Sequence, residues 1–382
     1  MMLLKKIGKI STGNTPSKKH REYYNSDDIG FVKPDSISDT VITEINKTSS
    51  FISENAREKA RVASKGSILI TCIGSVGKVG IVTEGEYAFN QQINAIMPNK
   101  DVNQKYLAYN LLYNKQRLIN IANAPVVPIV NKTQLENFEI KFDSNIDAQK
   151  KIVEHLDGIA LVIDKRKKQF DALDELIKAR FVEMFGKEKN KVKMVDICSI
   201  ITDGTHESPK FVNEGIPFIF VSNISNNKIM YDADKYIDKA TYDVLIKRTP
   251  IEIGDIILST VGSYGHPAVV KSNKKFLFQR HIAYLKPKRE MVNSEYLHTM
   301  IMMDYVQHQI NLEVKGIAQK TLNLSAIKSL DVLMPSLSQQ NEFAFFKIQV
   351  DKSKIAEYIN YLYTFRRHGI YSSRHALATF LA

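Results

Sequence analysis

Gly66-Ser-Ile-Leu-Ile-Thr-Cys-Ile-Gly74-Ser-Val-Gly77 returns later in the chain as Gly254-Asp-Ile-Ile-Leu-Ser-Thr-Val-Gly262-Ser-Tyr-Gly265. Read without gaps, the match carries on to Gln91 and Gln279. Working outward, Asn103-Gln-Lys-Tyr-Leu107 pairs with Asn293-Ser-Glu-Tyr-Leu297. Upstream, Thr12-Gly-Asn-Thr15-Pro pairs with Thr202-Asp-Gly-Thr205-His, and Ile29-Gly-Phe-Val with Ile216-Pro-Phe-Ile. Glycines recurring in register mark backbone that a Cβ would obstruct. The 382 residues therefore read as two copies of one unit, each about 190 residues long.

Both copies have the same internal order. Short β-rich runs come first, bounded by glycine and polar turns as strands are. A helical stretch follows near 103–122 and again near 293–312. Then comes a short apolar run, Leu135 to Ile140 in the first copy and Ile327 to Val332 in the second. From Asp147 to Phe185 no proline or turn cluster interrupts, and the period becomes seven. Leu156, Ile163, Phe170, Ile177 and Met184 form one series; Ile152, Ile159 and Leu173 form the other, with Arg166 and Arg180 in its remaining places. That is the seam of a coiled coil, on a helix roughly 58 Å long at 1.5 Å per residue. After Pro335, Phe345, Ile348, Ile355, Ile359 and Leu362 keep a similar spacing, interrupted at Lys352. The expected fold is α+β: heads at 1–146 and 188–336, long helices at 147–187 and 337–365, and a divergent tail at 366–382. The helices are expected to pair antiparallel as a spacer, giving the two heads a pseudo-twofold relation.

Composition narrows the function. Hydrophobic residues at 44% suit a folded chain, and no run approaches a membrane span. Lysines near the start break the apolar core a signal peptide needs, so a cytoplasmic location is expected. Two cysteines make no disulfide framework. A net charge of +12 favours a polyanionic partner. Gly74-Ser-Val-Gly-Lys78 has Cys72 and Val79 where a phosphate loop needs Gly and Ser or Thr, and the second copy has His266 in place of the lysine. The histidines have no metal-ligand spacing, and no acid, histidine or nucleophile cluster is shared by the copies. Neither a metal site nor a catalytic residue is expected.

The copies share glycines and aliphatics but differ in polar loops. Arg and Lys can read guanine, Asn and Gln adenine, and Ser and Thr either, while further basic residues neutralise phosphates. In the first copy the candidate DNA contacts are Thr12, Asn14, Thr15, Lys18, Lys19, Arg21, Lys33, Lys78, Gln91, Gln92 and Asn94. In the second they are Thr205, His206, Lys210, Ser222, Asn223, His266, Gln279, Arg280, His281 and Lys320.

With those residues in place, the chain resembles the DNA-specificity subunits of type I restriction–modification systems. The carriers are Thr12 to Pro16, the Lys65 to Lys78 strand pair and Asn90-Gln91. Further carriers are Asp147-Ala-Gln-Lys-Lys-Ile152, the helix end Leu176 to Phe185, Asp203-Gly-Thr-His206, Gly316-Ile-Ala-Gln-Lys320 and Leu333 to Gln340. The resemblance implies two target-recognition domains, each reading half of a split sequence in double-stranded DNA. It also implies helices that set the spacing and dock two modification subunits, which use S-adenosylmethionine to methylate adenine. Restriction and translocase subunits would supply ATP- and Mg-dependent cleavage, leaving this chain non-catalytic and without a cofactor. Two features depart from the family pattern: Pro128 to Lys132 stands where the second copy has Gly316 to Lys320, and the tail abandons the heptad. The competing expectation is a coiled-coil scaffold whose heads bind protein.

Overall fold

The structure, a computed structural model, describes residues 1–122, 127–225, 227–316 and 320–367, with side chains described as far as Lys354. It divides into two compact units, Met1–Lys165 and Arg166–Ala382. The division falls inside the long helix Ile146–Phe185, between Lys165 and Arg166.

In the first unit the main sheet runs in the order Gly8–Thr12, Ile93–Pro98, Ile68–Thr71, Val79–Val82, Thr43–Ile45. A second sheet runs Phe51–Ile52, Ile29–Val32, Glu86–Phe89, Val62–Ser64. The central strand Ile68–Thr71 is buried on both faces, which is why it reads as a continuous apolar run. Ile68 and Ile70 pack with Leu107 and Leu111 of the helix Gln104–Tyr113. Leu69 points the other way, into a cluster with Val32 and Phe89 of the second sheet.

The second unit repeats this plan, with a main sheet Cys198–Asp203, Ile282–Pro287, Ile256–Ser259, Pro267–Val269 and a smaller one Tyr236–Ile237, Ile216–Ile219, Leu277–Phe278. Ile256 and Leu258 again face one core and Ile257 the other. The apolar runs at 135–140 and 327–332 each resolve into a short helix followed by a short strand, Lys132–Glu136 with Glu139–Ile140 and Leu324–Ser329 with Asp331–Leu333. The glycine-rich stretch after the central strand is a hairpin turn, not a phosphate loop leading into a helix. Gly74 and Gly77 take φ of +75° and +88°, and Gly262 and Gly265 take +73° and +78°.

Backbone hydrogen bonds correct the sequence register by one residue around the turns. The Phe89 carbonyl accepts from the Asn14 N–H at 3.0 Å, and the Phe278 carbonyl from the Thr205 N–H at 2.9 Å. Asn14 is thus equivalent to Thr205, Asn90 to Gln279, and Gln92 to His281. The second copy has one extra residue between Val270 and Phe278, and the ladder rather than side-chain identity fixes the match. A Cβ on Gly13 would lie 2.2 Å from the Asn90 carbonyl oxygen, and one on Gly204 would lie 2.3 Å from that of Phe278. This close approach is what the two glycines have in common. Lys320 is likewise equivalent to Pro128 rather than Lys132, since their carbonyls accept from Gly262 and Gly74. Residues 317–319 of that motif lie outside the described residues.

The long helix is continuous over 40 residues. Leu156, Ile159, Ile163, Phe170, Leu173 and Met184 are half-buried and Ile177 is buried, as the seven-residue spacing predicts. Ile152 is instead 39% exposed, and its neighbour Val153 is buried. The second long helix spans Leu337–Arg367. Its seam begins on different residues from those expected: Phe345 and Ile348 are exposed, while Phe343, Ala344, Lys347 and Val350 are buried. The first turns of this helix face the core of their own unit, which rotates the buried stripe by about two residues. The side chains of Ile355, Ile359 and Leu362, and the tail from 368 onward, lie outside the described residues.

Within the second unit the two long helices meet antiparallel. Arg180 bonds Glu342 at 3.1 Å, Phe181 packs edge-on to Phe343 with ring centres 5.2 Å apart, and Asp174 pairs with Lys354.

Candidate nucleic-acid interface

Each head roots its helix through a buried glutamine. The side-chain oxygen of Gln149 accepts from the backbone N–H of Asn103 at 2.7 Å, and that of Gln340 accepts from Asn293 at 2.9 Å. Both asparagines cap the helix that follows them, with side chains accepting from Tyr106 and Tyr296. The recurring Asn-x-x-Tyr-Leu motif and the Gln of each long helix thus form one joint, made twice.

The polar turns gather elsewhere on each head. On the first, a groove of about 560 Å³ is lined by Thr15, Lys18, Tyr24, Phe31, Lys33, Ser50, Phe51, Asn90 and Gln91. A shallower depression beside it adds Arg21 and Asn25. Of the residues expected from sequence, Thr15, Lys18, Lys33, Gln91 and Arg21 are brought together here. Thr15 donates its hydroxyl hydrogen to the Gln91 side chain at 2.7 Å. Lys33 donates to Ser50 at 2.8 Å and lies 6.0 Å from the centre of the Phe31 ring. Lys19 is exposed but lines neither depression.

Five other candidates, Thr12 among them, make hydrogen bonds within the head. Asn94 is buried and accepts a hydrogen bond from the Thr12 hydroxyl at 2.6 Å. Asn14 laces its turn to the chain at 59–61, donating to the Lys59 carbonyl and accepting from the Arg61 N–H. Lys78 reaches the Pro34 carbonyl at 3.3 Å. Gln92 is half-buried and holds Asn90, whose amide donates to it at 2.9 Å. The groove also takes in Tyr24, Phe31, Ser50, Phe51 and Asn90, which were not among the contacts expected from sequence. The available signal was the aromatic residues interleaved with Lys18, Arg21 and Lys33.

On the second head Thr205 and Gln279 lie side by side in an isolated parallel bridge, and the Arg280 N–H donates to the Thr205 carbonyl at 3.0 Å. His206 and Arg280 are exposed. Asp203 receives His206 Nε2 at 2.8 Å on one oxygen and Arg248 on the other. Asn223 folds back, accepting from the Phe220 N–H and donating to the Asp232 carbonyl, with Ser222 exposed beside it. Lys210 is exposed. His266 and His281 are half-buried, and their backbones serve the ladder of the central strand. Lys320 is exposed beside the hairpin turn. Arg248 did not figure among the expected contacts, because nothing in the linear sequence ties it to Asp203.

Among the described residues no three His, Cys, Asp or Glu side chains are grouped to hold a metal ion. No described helix is long and apolar enough to cross a membrane.

Two α+β heads with the same strand plan, unlike polar turns and a long helix rooted in each define a tandem-repeat class of protein that presents two variable surfaces. The chain belongs to the family of the type I restriction modification DNA specificity domain, which it matches over residues 1–171 and again over 186–360. It is 25% identical over 361 residues to the specificity subunit of the type I restriction enzyme MjaIX of Methanocaldococcus jannaschii, covering 87% of this chain and 82% of that one. It is 35% identical over 112 residues to the HindI specificity subunit of Haemophilus influenzae, a match covering 29% of this chain and 24% of that one. In fold it is similar to the type I restriction–modification S subunit of M. genitalium, with a TM-score of 0.50 at 13% identity, covering 96% of this chain and 92% of that one. A chain from a structure of type I system assembly and conformational transition gives a TM-score of 0.52 at 14% identity, covering 96% and 93%.

Proposed function

We propose that this chain is the DNA-specificity subunit of a type I restriction–modification complex, each head reading one half of a two-part target in double-stranded DNA. The carrying observation is the family match in both copies, joined to scaffolds that agree while their polar turns differ. On the first head Thr15, Gln91 and Asn90 supply base-reading groups, and Lys18, Arg21 and Lys33 neutralise phosphates around them. On the second, Thr205, His206, Gln279 and Arg280 occupy the equivalent turns, flanked by Lys210, Ser222 and Lys320.

The long helices would set the spacing between half-sites and dock two modification subunits. Those partners would bring S-adenosylmethionine, and the restriction subunits ATP and Mg, so this chain would need no cofactor and catalyse no step. Its place of work would be the cytoplasm, where the DNA is. Co-expression with its modification partner, followed by mapping of methylated adenines, should yield a two-part motif. Absence of such a motif overturns the reading. A protein-binding scaffold would leave the motif unchanged when a head is exchanged.

A further inference from the structure

Arg248 lies on a short turn, Ile246–Arg248, at the end of the helix Lys239–Leu245. It is distant in sequence from every other reading residue of the second head. The fold nevertheless places its guanidinium on the Asp203 carboxylate, with Nη2 also 3.4 Å from His206 Nε2 and 3.5 Å from the Thr202 hydroxyl. Asp203 is largely buried, with 17% of its side chain exposed, whereas Arg248 is 52% exposed. A sheltered acceptor thus fixes an exposed donor. Among the described residues the bonds of the guanidinium run through Nη2, and Nε and Nη1 make none. One carboxylate oxygen holds Arg248 and the other holds His206, so both side chains are aligned beside the Thr205 turn.

The guanidinium is planar and always charged, and its end-on edge, Nη1 with the second Nη2 hydrogen, matches the two acceptors O6 and N7 on the major-groove edge of guanine. Tethering one arm lowers the rotamer freedom that such a contact must otherwise give up. We infer that Arg248 is a specificity-determining residue of the second head that demands guanine at one position of its half-site, with Asp203 as its positioning residue. The inference rests on the DNA-reading function proposed above.

The test is adenine-methylation mapping, with the partner subunit present, for the wild-type chain and for Arg248→Ala, Arg248→Lys and Asp203→Asn. Arg248→Ala leaves the sheltered Asp203 carboxylate with His206 alone, so a thermal melt of each variant checks that the fold is kept, and the lysine variant keeps the charge. Expected is relaxation of one guanine position in one half-site, by roughly 5- to 150-fold in discrimination. Both Arg248 variants should relax it, Asp203→Asn should relax the same position less, and the other half-site should keep its stringency. Retention of every position by Arg248→Ala overturns the inference. So does an even loss of methylation with no relaxed position, which is the behaviour of a phosphate contact. If the wild-type chain yields no two-part motif at all, the DNA-reading function itself fails, and that outcome is separate from the other two.

Discussion

Glu295 shows how one side chain couples the second head to its long helix. Burial pushes its carboxyl up, but the ammonium groups of Lys347 and Lys271 outweigh that and hold it down at about 2. Lys271 lies 2.7 Å away, and Lys347 is itself only 9% exposed. A carboxylate depressed on folding stabilises the protein above its unfolded value near 4.5, and the contribution is lost as pH falls toward 2. A displacement of that size corresponds to about 3 kcal/mol. Nearby His298 is pushed the other way from its usual range, to about 3, by burial and then by Lys347. It must fold neutral, so its share of stability begins to fall below about pH 6.5. Denaturant melts from pH 7 to 3 should therefore show a two-part decline. Glu295→Gln should flatten the lower part and be less stable at pH 7, because Lys347 is left buried without its partner. At Gln340, wholly buried, replacement by alanine leaves the Asn293 N–H without an acceptor. That should cost about 1–3 kcal/mol in the same melts.

At the level of elements, the end of the first long helix is a core element of the second unit. Phe181, Phe185, Tyr296 and Phe343 make mutual ring contacts with centres 5.0 to 6.4 Å apart. Phe181→Ala should destabilise that unit by about 3–5 kcal/mol in chemical denaturation. The exposed pair Arg180–Glu342 should contribute little and fade with salt. The seven-residue spacing was legible over most of the first long helix because its stripe persists through five turns and more. It failed at Phe345 and Ile348, because a helix that leaves a globular core buries whichever face the core meets. The short strands and turns were legible from glycines and β-branched runs. Their register around Asn90 and Gln279 was not, since it depends on which carbonyl meets which N–H across the sheet. If the first long helix measures the half-site spacing, inserting four residues among its exposed middle positions lengthens it by about 6 Å. The spacer in the methylated motif should then grow, while both half-sites keep their base sequence.

For the molecule as a whole, the net charge of +12 is the term that acts on any polyanion. Log affinity for DNA should fall against log salt with a slope of roughly −0.9 per neutralised phosphate. Joint neutralisation of Lys18, Arg21 and Lys33 should make that slope shallower by about three phosphates' worth without changing the motif, as filter-binding or fluorescence titration would show. Exchanging residues of the first head for those of a relative with another target should change one half-motif and leave the other.

The duplication, the strands, the long helix and the polar loops that differ between copies are properties of the sequence itself, because periodicity and glycine placement act locally. The gathering of Thr15, Lys18, Lys33 and Gln91 with Tyr24 and Phe51 into one groove was decided only in three dimensions. So were the burial of Asn94, which sequence reading assigns to DNA, and the tethering of Arg248 by Asp203. Each depends on segments tens of residues apart being brought together by sheet pairing, and a side chain's type does not say whether it will face a groove or its own core.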